Sequence, residues 1–90
     1  MNVDLIGYAH TPFGKLPGAE VEALMREVAS TAIHDAQLDA SEIDAVVVGH
    51  FNPGFVQQGF TAGLSGGLLP GLQMVPAVRV ENACATGSAA

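Results

Sequence analysis

From Ala45 to Val78 the chain carries no Asp, Glu, Lys or Arg. A stretch that long without charge has to be buried in a bilayer, in a packed core or against another polypeptide. The bilayer is excluded first. Pro53, Pro70 and Pro76 interrupt the stretch, as do Asn52, Gln57, Gln58, Gln73 and several glycines. No run of about 20 apolar residues survives to span a membrane. A packed interior is the remaining choice, and composition shows where it strains. Of 90 residues, 49% are hydrophobic and only 13% charged. A chain this short buries a modest share of its surface. The surplus apolar surface is therefore expected to meet a partner subunit or the remainder of a larger domain, because left bare it promotes aggregation.

The few charges narrow the partners. The net charge is −6, from nine acids against three bases, Lys15, Arg26 and Arg79. Nucleic-acid binding needs clustered cations to meet phosphates, and these three do not cluster. The same holds for attraction to anionic lipid. The single cysteine, Cys84, cannot form an intramolecular disulfide. No basic, apolar leader follows Met1, since Asp4 and Gly7 come too early. A cytoplasmic location is expected.

Periodicity supplies the elements. Val3–His10 is apolar on both alternating faces, as in a strand covered on both sides of a parallel sheet. Prolines and glycines make Thr11–Gly18 a loop. Val21, Leu24, Met25, Val28, Ala29, Ala32, Ile33 and Ala36 recur at three- and four-residue steps, one face of an amphipathic helix, with Glu20 and Glu22 in its first turn. Ser41 and Asp44 suggest a single capped helical turn. Ala45–Gly49 is a β-branched run expected to form a buried strand. A weak helix is predicted from about Val56 to Leu64, a third strand in Val75–Asn82, and a third helix in Ala83–Ala90. Strand, helix, strand, helix, strand, helix is the order of an α/β fold with a parallel sheet and crossover connections. The last helix has no end signal, so these 90 residues are read as one incomplete domain that continues.

Cys84 stands where the third strand hands over to that helix. A thiol reacts as thiolate, and the unpaired N–H groups of a helix's first turn favour the anion. The small residues Ala83, Ala85, Thr86, Gly87 and Ser88 leave room for a substrate beside the sulfur. Such a thiol suits covalent acyl transfer. By spacing alone, a lone cysteine such as Cys84 is more often a small buried apolar residue than a nucleophile. Without a second cysteine there is no redox pair or cysteine-rich zinc site.

The segment Val78–Ala90, VRVENACATGSAA, resembles the nucleophile segment of the thiolase family, above all its sterol-carrier-protein-type branch. Val3–Gly18 resembles the family's opening strand and R-T-P-F-G turn, with His10 in place of the Arg. Leu38–Gly49 is similar to its second-strand region. The resemblance implies a layered thiolase-type fold, with residues 1–90 forming the first part of the N-terminal half. It implies an acyltransferase of lipid metabolism that forms or cleaves 3-ketoacyl-CoA, with Cys84 as nucleophile. CoA thioesters are its substrates, with no cofactor and no metal. In the family an activating histidine, a second cysteine and an oxyanion-hole group come from later in the chain. The resemblance further implies a homodimer or tetramer, or a hetero-complex, with Ala77–Asn82 as the strand paired across the two-fold axis. The alternatives are a ketoacyl-synthase-like condensing enzyme and a non-catalytic thiolase-like assembly subunit. Synthase sites usually follow the cysteine with serines, and Ala85-Thr86-Gly87 favours thiolase.

Other residues are weighed against this site. His50, at the end of the second strand, is the one candidate substrate-binding residue, because parallel sheets place ligands at that edge. His34 is expected on the polar helix face and His10 in a turn, and the three histidines are too dispersed for a metal motif. Asn82 is expected to fix the turn before Cys84 through its side chain, and Glu81 either to pair with Arg79 or to stand solvated beside it. Met25 and Met74 are expected in the core. The segment Thr61–Gly71 lacks the pattern of a phosphate loop and is expected to be a packed or flexible connection.

Overall fold

The computed structural model describes residues 1–51 and 61–90. Helix α1 spans Val21–Asp35 and strand β1 Val46–Gly49. Strand β2 spans Ala77–Val80, and a short helix α2 follows at Thr86–Ala89. Among the described residues, the 3₁₀ segments Ala40–Glu42 and Thr61–Gly67 lie between. β1 and β2 pair in parallel, Val46 with Ala77 through Gly49 with Val80. This is a small α/β arrangement, and both strands fall inside the β-branched runs that predict them. The parallel pairing requires the long connection between them, since parallel neighbours cannot be joined by a tight turn.

α1 follows its apolar periodicity. Val21, Leu24, Met25, Val28, Ala29, Ala32, Ile33 and Ala36 are all partly covered, and His34 is exposed as expected. The helix ends where Gln37 takes a positive φ of 59° and the amide of Leu38 bonds back to the carbonyl of Ile33 at 3.1 Å. The turn at Ala40–Glu42 is capped by Asp39 and Glu42 rather than by Ser41 and Asp44. The amide of Asp39 donates to the Glu42 carboxylate at 2.7 Å, a bond that Asp44, two residues beyond the turn, is placed too late to make.

The core lies in the uncharged stretch. Thr61, Ala62, Ser65, Leu68 and Leu72 are buried there, Leu72 to 2% exposure. The buried hydroxyl of Ser65 donates to the carbonyl of Ala62 at 2.8 Å, so the polar group carries no unpaired cost. The segment expected to be a packed or flexible connection is thus the packed centre of the described residues. Arg26 ties α1 to it, donating from Nε to the carbonyl of Leu68 at 3.2 Å. Gly71, at φ 101°, closes it against Ala40 and Ser41, where a Cβ would lie 2.9 Å from the amide of Ser41.

Three expectations need correction. Val3–His10 forms no strand. Its backbone has no neighbouring strand to bond among the described residues, and the covering layers its pattern suits are missing there: Val3 is 82% exposed and Leu5 fully exposed. It lies instead over the C-terminal half of α1, where the amide of Tyr8 donates to the Asp35 carboxylate at 2.9 Å. Met74 is exposed rather than in the core, since it falls in the turns between the 3₁₀ segment and β2. The third helix starts later than expected, at Thr86. The helix expected from about Val56 to Leu64 lies mostly outside the described residues, and its end, from Thr61, is 3₁₀. No helix among the described residues is long and apolar enough to cross a membrane.

Candidate active site

Because β1 and β2 are parallel, their C-terminal ends share one edge of the sheet. His50 leaves that edge from β1 and Glu81 leaves it from β2, so the two segments that carry the candidate residues begin side by side. Sheet edges of this kind are where α/β folds gather ligand-handling groups.

His50 is held at three points. Its amide donates to the carbonyl of Val80 at 3.2 Å, extending the ladder by one step. Its carbonyl accepts from Nη2 of Arg79 at 2.7 Å. Its ring Nδ1 lies 3.1 Å from the hydroxyl of buried Thr61. Arg79 therefore reaches across to the neighbouring strand, and of the two readings of Glu81 the direct pair with Arg79 is not formed, the Glu81 carboxylate accepting from Ala83 instead. Its Nε is buried with no partner among the described residues.

Cys84 sits beyond β2 in a tight turn. The amide of Ala85 donates to the carbonyl of Asn82 at 2.8 Å, and that of Thr86 to the carbonyl of Ala83 at 3.2 Å. Ala83 has φ 44°, in the left-handed region that costs most residues about 1–2 kcal/mol and that turns usually assign to glycine. Both of its backbone polar groups are strapped. Its N–H donates to the Glu81 carboxylate. Its carbonyl accepts from the Thr86 hydroxyl at 2.6 Å. The same hydroxyl oxygen accepts from the amide of Asn82 at 2.9 Å. The turn is thus fixed by the side chains of Glu81 and Thr86, the task expected of Asn82.

The outcome for the sulfur is exposure: Cys84 is a free, exposed thiol. It stands just ahead of α2, whose N-cap is Ala85, and not inside the helix's first turn. Behind it, Thr86 is 6% exposed and packs on Gly49 of β1. A Cβ on Gly49 would come within 3.0 Å of the Thr86 methyl and 3.1 Å of its carbonyl oxygen, so glycine is what lets α2 rest on the strand. In the sequence Thr86 is only one small residue among many. Its one signal is position, two residues after the cysteine, with a hydroxyl able to reach back to the strand end.

His10 and His34 take no part. His10 closes its own turn, with Nδ1 2.7 Å from the carbonyl of Thr11, and stacks on Phe13. A groove of about 320 Å³ beside the end of α1, lined by Ile33, His34, Leu38 and Pro70 among others, includes neither Cys84 nor His50. Among the described residues no three His, Cys, Asp or Glu side chains are grouped to hold a metal ion.

Comparison with known proteins bears on what this edge is for. The family model described as "Thiolase, N-terminal domain" matches residues 3–90. The chain belongs to the thiolase family. Among curated proteins, this thiolase segment is 39% identical to an acetyl-CoA acetyltransferase of Methanocaldococcus jannaschii, over 99% of its own length and 23% of the relative's. It is 34% identical to an acetyl-CoA acetyltransferase of Methanothermobacter thermautotrophicus over the same shares. The chain thus spans about a quarter of the length of these relatives.

Proposed function

We propose that this chain carries the nucleophile of an acyl-CoA acyltransferase, with Cys84 as the residue that takes the acyl group. The observation behind the reading is the exposed thiol on a strapped turn at the C-terminal edge of a parallel sheet, in a chain of the thiolase family. The thiolate of Cys84 attacks the thioester carbonyl of an acyl-CoA. The tetrahedral adduct collapses by expelling CoA thiolate, which leaves an acyl-Cys84. A second acyl-CoA, deprotonated alpha to its thioester, then attacks that acyl group and releases Cys84 as a 3-ketoacyl-CoA forms. Thiolysis by CoA runs the same steps backwards. The acids and bases that move these protons belong to the rest of the protein.

The relatives' printed names favour acetyl-CoA as the donor and CoA thioesters, rather than carrier-bound acyl groups, as substrates. His50, held at the end of β1 on this edge, is our candidate for lining the substrate site. On the same reading residues 1–90 form the first part of the N-terminal domain of a cytoplasmic, dimeric or tetrameric enzyme needing no metal or cofactor. β2 supplies the strand that meets its counterpart in the dimer.

The test is direct. Full-length protein is incubated with acetyl-CoA, quenched and digested, and the Cys84 peptide is weighed. The expected result is an acetyl group on Cys84, and loss of transfer by about a thousandfold or more in Cys84→Ser. An unmodified Cys84 peptide under active turnover overturns the reading, and a protein without any turnover points to an assembly subunit.

A further inference from the structure

We infer that Thr86 is a positioning residue for Cys84, acting through the hydroxyl that straps the turn; this rests on the reading of Cys84 as the acyl acceptor. Thr86 is buried away from any substrate, and its hydroxyl bonds the backbone of Asn82 and Ala83 rather than the sulfur. Its hydroxyl does two things at once. It accepts the Asn82 amide at the end of the strand and donates to the carbonyl of Ala83. These bonds span the two residues before the cysteine and hold Ala83 in a conformation that an alanine does not keep unaided. Its methyl group, against Gly49, anchors the strap to β1. The side chain thereby converts the rigidity of the sheet into a fixed direction for the sulfur. Catalytic groups gain most when their supports are locked in this way, because misplacement of an ångström erodes attack on a bound carbonyl.

The geometry separates the two parts of the side chain. Thr86→Val keeps the methyl that packs on Gly49 and removes the hydroxyl. Thr86→Ser keeps the hydroxyl and removes the methyl. In the full-length protein, Thr86→Val is expected to slow acetylation of Cys84 about tenfold, the loss of roughly one good buried hydrogen bond. KM for acetyl-CoA stays near the wild-type value, since no substrate contact is removed. Thr86→Ser is expected to remain within about threefold of wild type, because it keeps the strapping bonds. Ala83→Gly removes the conformational reason for the strap. In that background the Thr86→Val penalty is expected to fall to about threefold or less, a coupling that general destabilisation does not produce.

Alkylation of Cys84 by iodoacetamide provides an arm independent of acyl transfer. If wild-type Cys84 is never acetylated, the functional reading fails, and the alkylation rates of the same variants still decide whether Thr86 sets the sulfur. The inference is overturned if Thr86→Val reacts like wild type in both assays. It is equally overturned if Thr86→Ser loses as much as Thr86→Val, or if the Thr86→Val penalty is unchanged in the Ala83→Gly background. Should Thr86→Val fail to fold, the Thr86→Ser and Ala83→Gly variants carry the decision: near-wild-type rates in both support the strap, and a loss of about tenfold in Thr86→Ser sinks it.

Discussion

Val3–Tyr8 and Ala77–Val80 are both short, alternating, apolar runs, and they meet opposite fates. Ala77–Val80 lies beside Val46–Gly49 and bonds to it through a full register. Val3–Tyr8 lies over the C-terminal half of α1, its apolar side chains largely in solvent and a single amide bonded to Asp35. What separates them is not propensity. A strand is stable when a neighbour satisfies its amides and a layer covers its faces, and among the described residues one run has a paired neighbour while the other has neither. The same contrast explains the site. At the paired edge, backbone geometry is fixed well enough to hold an alanine at positive φ beside an exposed cysteine. At the N-terminal run, even an apolar side chain finds little to press against.

The sharpest way to break this contrast is to damage the paired region at its tightest contact. Gly49→Ala adds a methyl group within 3.0–3.1 Å of Thr86, including a backbone atom that cannot swing aside. Overpacking of this kind costs about 1–3 kcal/mol. The full-length variant is expected to unfold at correspondingly lower denaturant, and its Cys84 acetylation to fall further than stability alone explains, because α2 and the turn shift together. Unchanged stability and rate in Gly49→Ala show that α2 does not rest on β1.

A smaller effect is expected at the neighbouring strand. Arg79→Met keeps much of the apolar stem and removes the guanidinium that bonds the carbonyl of His50. The expected net loss is about 1–2 kcal/mol, a charged hydrogen bond worth about 1.5–3 kcal/mol partly offset because the change also removes the buried Nε that has no partner among the described residues. Equilibrium unfolding measures it, and hydrogen exchange at the His50 amide, which bonds Val80, is expected to quicken as the strand ends part. An unaltered exchange rate at His50 removes Arg79 from the groups that close this edge.

These regions also show what a sequence discloses. α1 is legible because its apolar stripe repeats over four turns, so several residues vote for one face. β1 and β2 are legible because β-branched runs between turn residues have few other uses. The N-terminal run misleads because its pattern describes the surroundings it is suited to, and those surroundings are not found among the described residues. The cysteine stands out by its neighbours, yet they suggest a helix that starts too early. Nothing in Ala83 announces a left-handed residue. A glycine or asparagine there would mark the turn, whereas an alanine is held in place by bonds from Glu81 and Thr86. Topology puts His50 at the correct edge, while its tie to Thr61 crosses too much sequence to be read from spacing.

The mildest prediction probes the unpaired side of the comparison. Asp35→Asn leaves the packing of α1 untouched and weakens the acceptor for the Tyr8 amide, which is the one hydrogen bond linking the N-terminal run to the helix among the described residues. The bond is exposed, so its net worth is small, about 0.5 kcal/mol or less. Global stability is therefore expected to be unchanged within error, and Cys84 acetylation likewise, since the two regions share no partner. The Tyr8 amide should exchange a few times faster. In the full-length protein the outcome discriminates between two roles for this run. If it merely rests on α1, Tyr8 exchange rises in Asp35→Asn as stated. If the remainder of the protein recruits it into a sheet, Tyr8 is protected by a strand neighbour instead and Asp35→Asn leaves its exchange unaltered, which would make the run the counterpart of β2 after all.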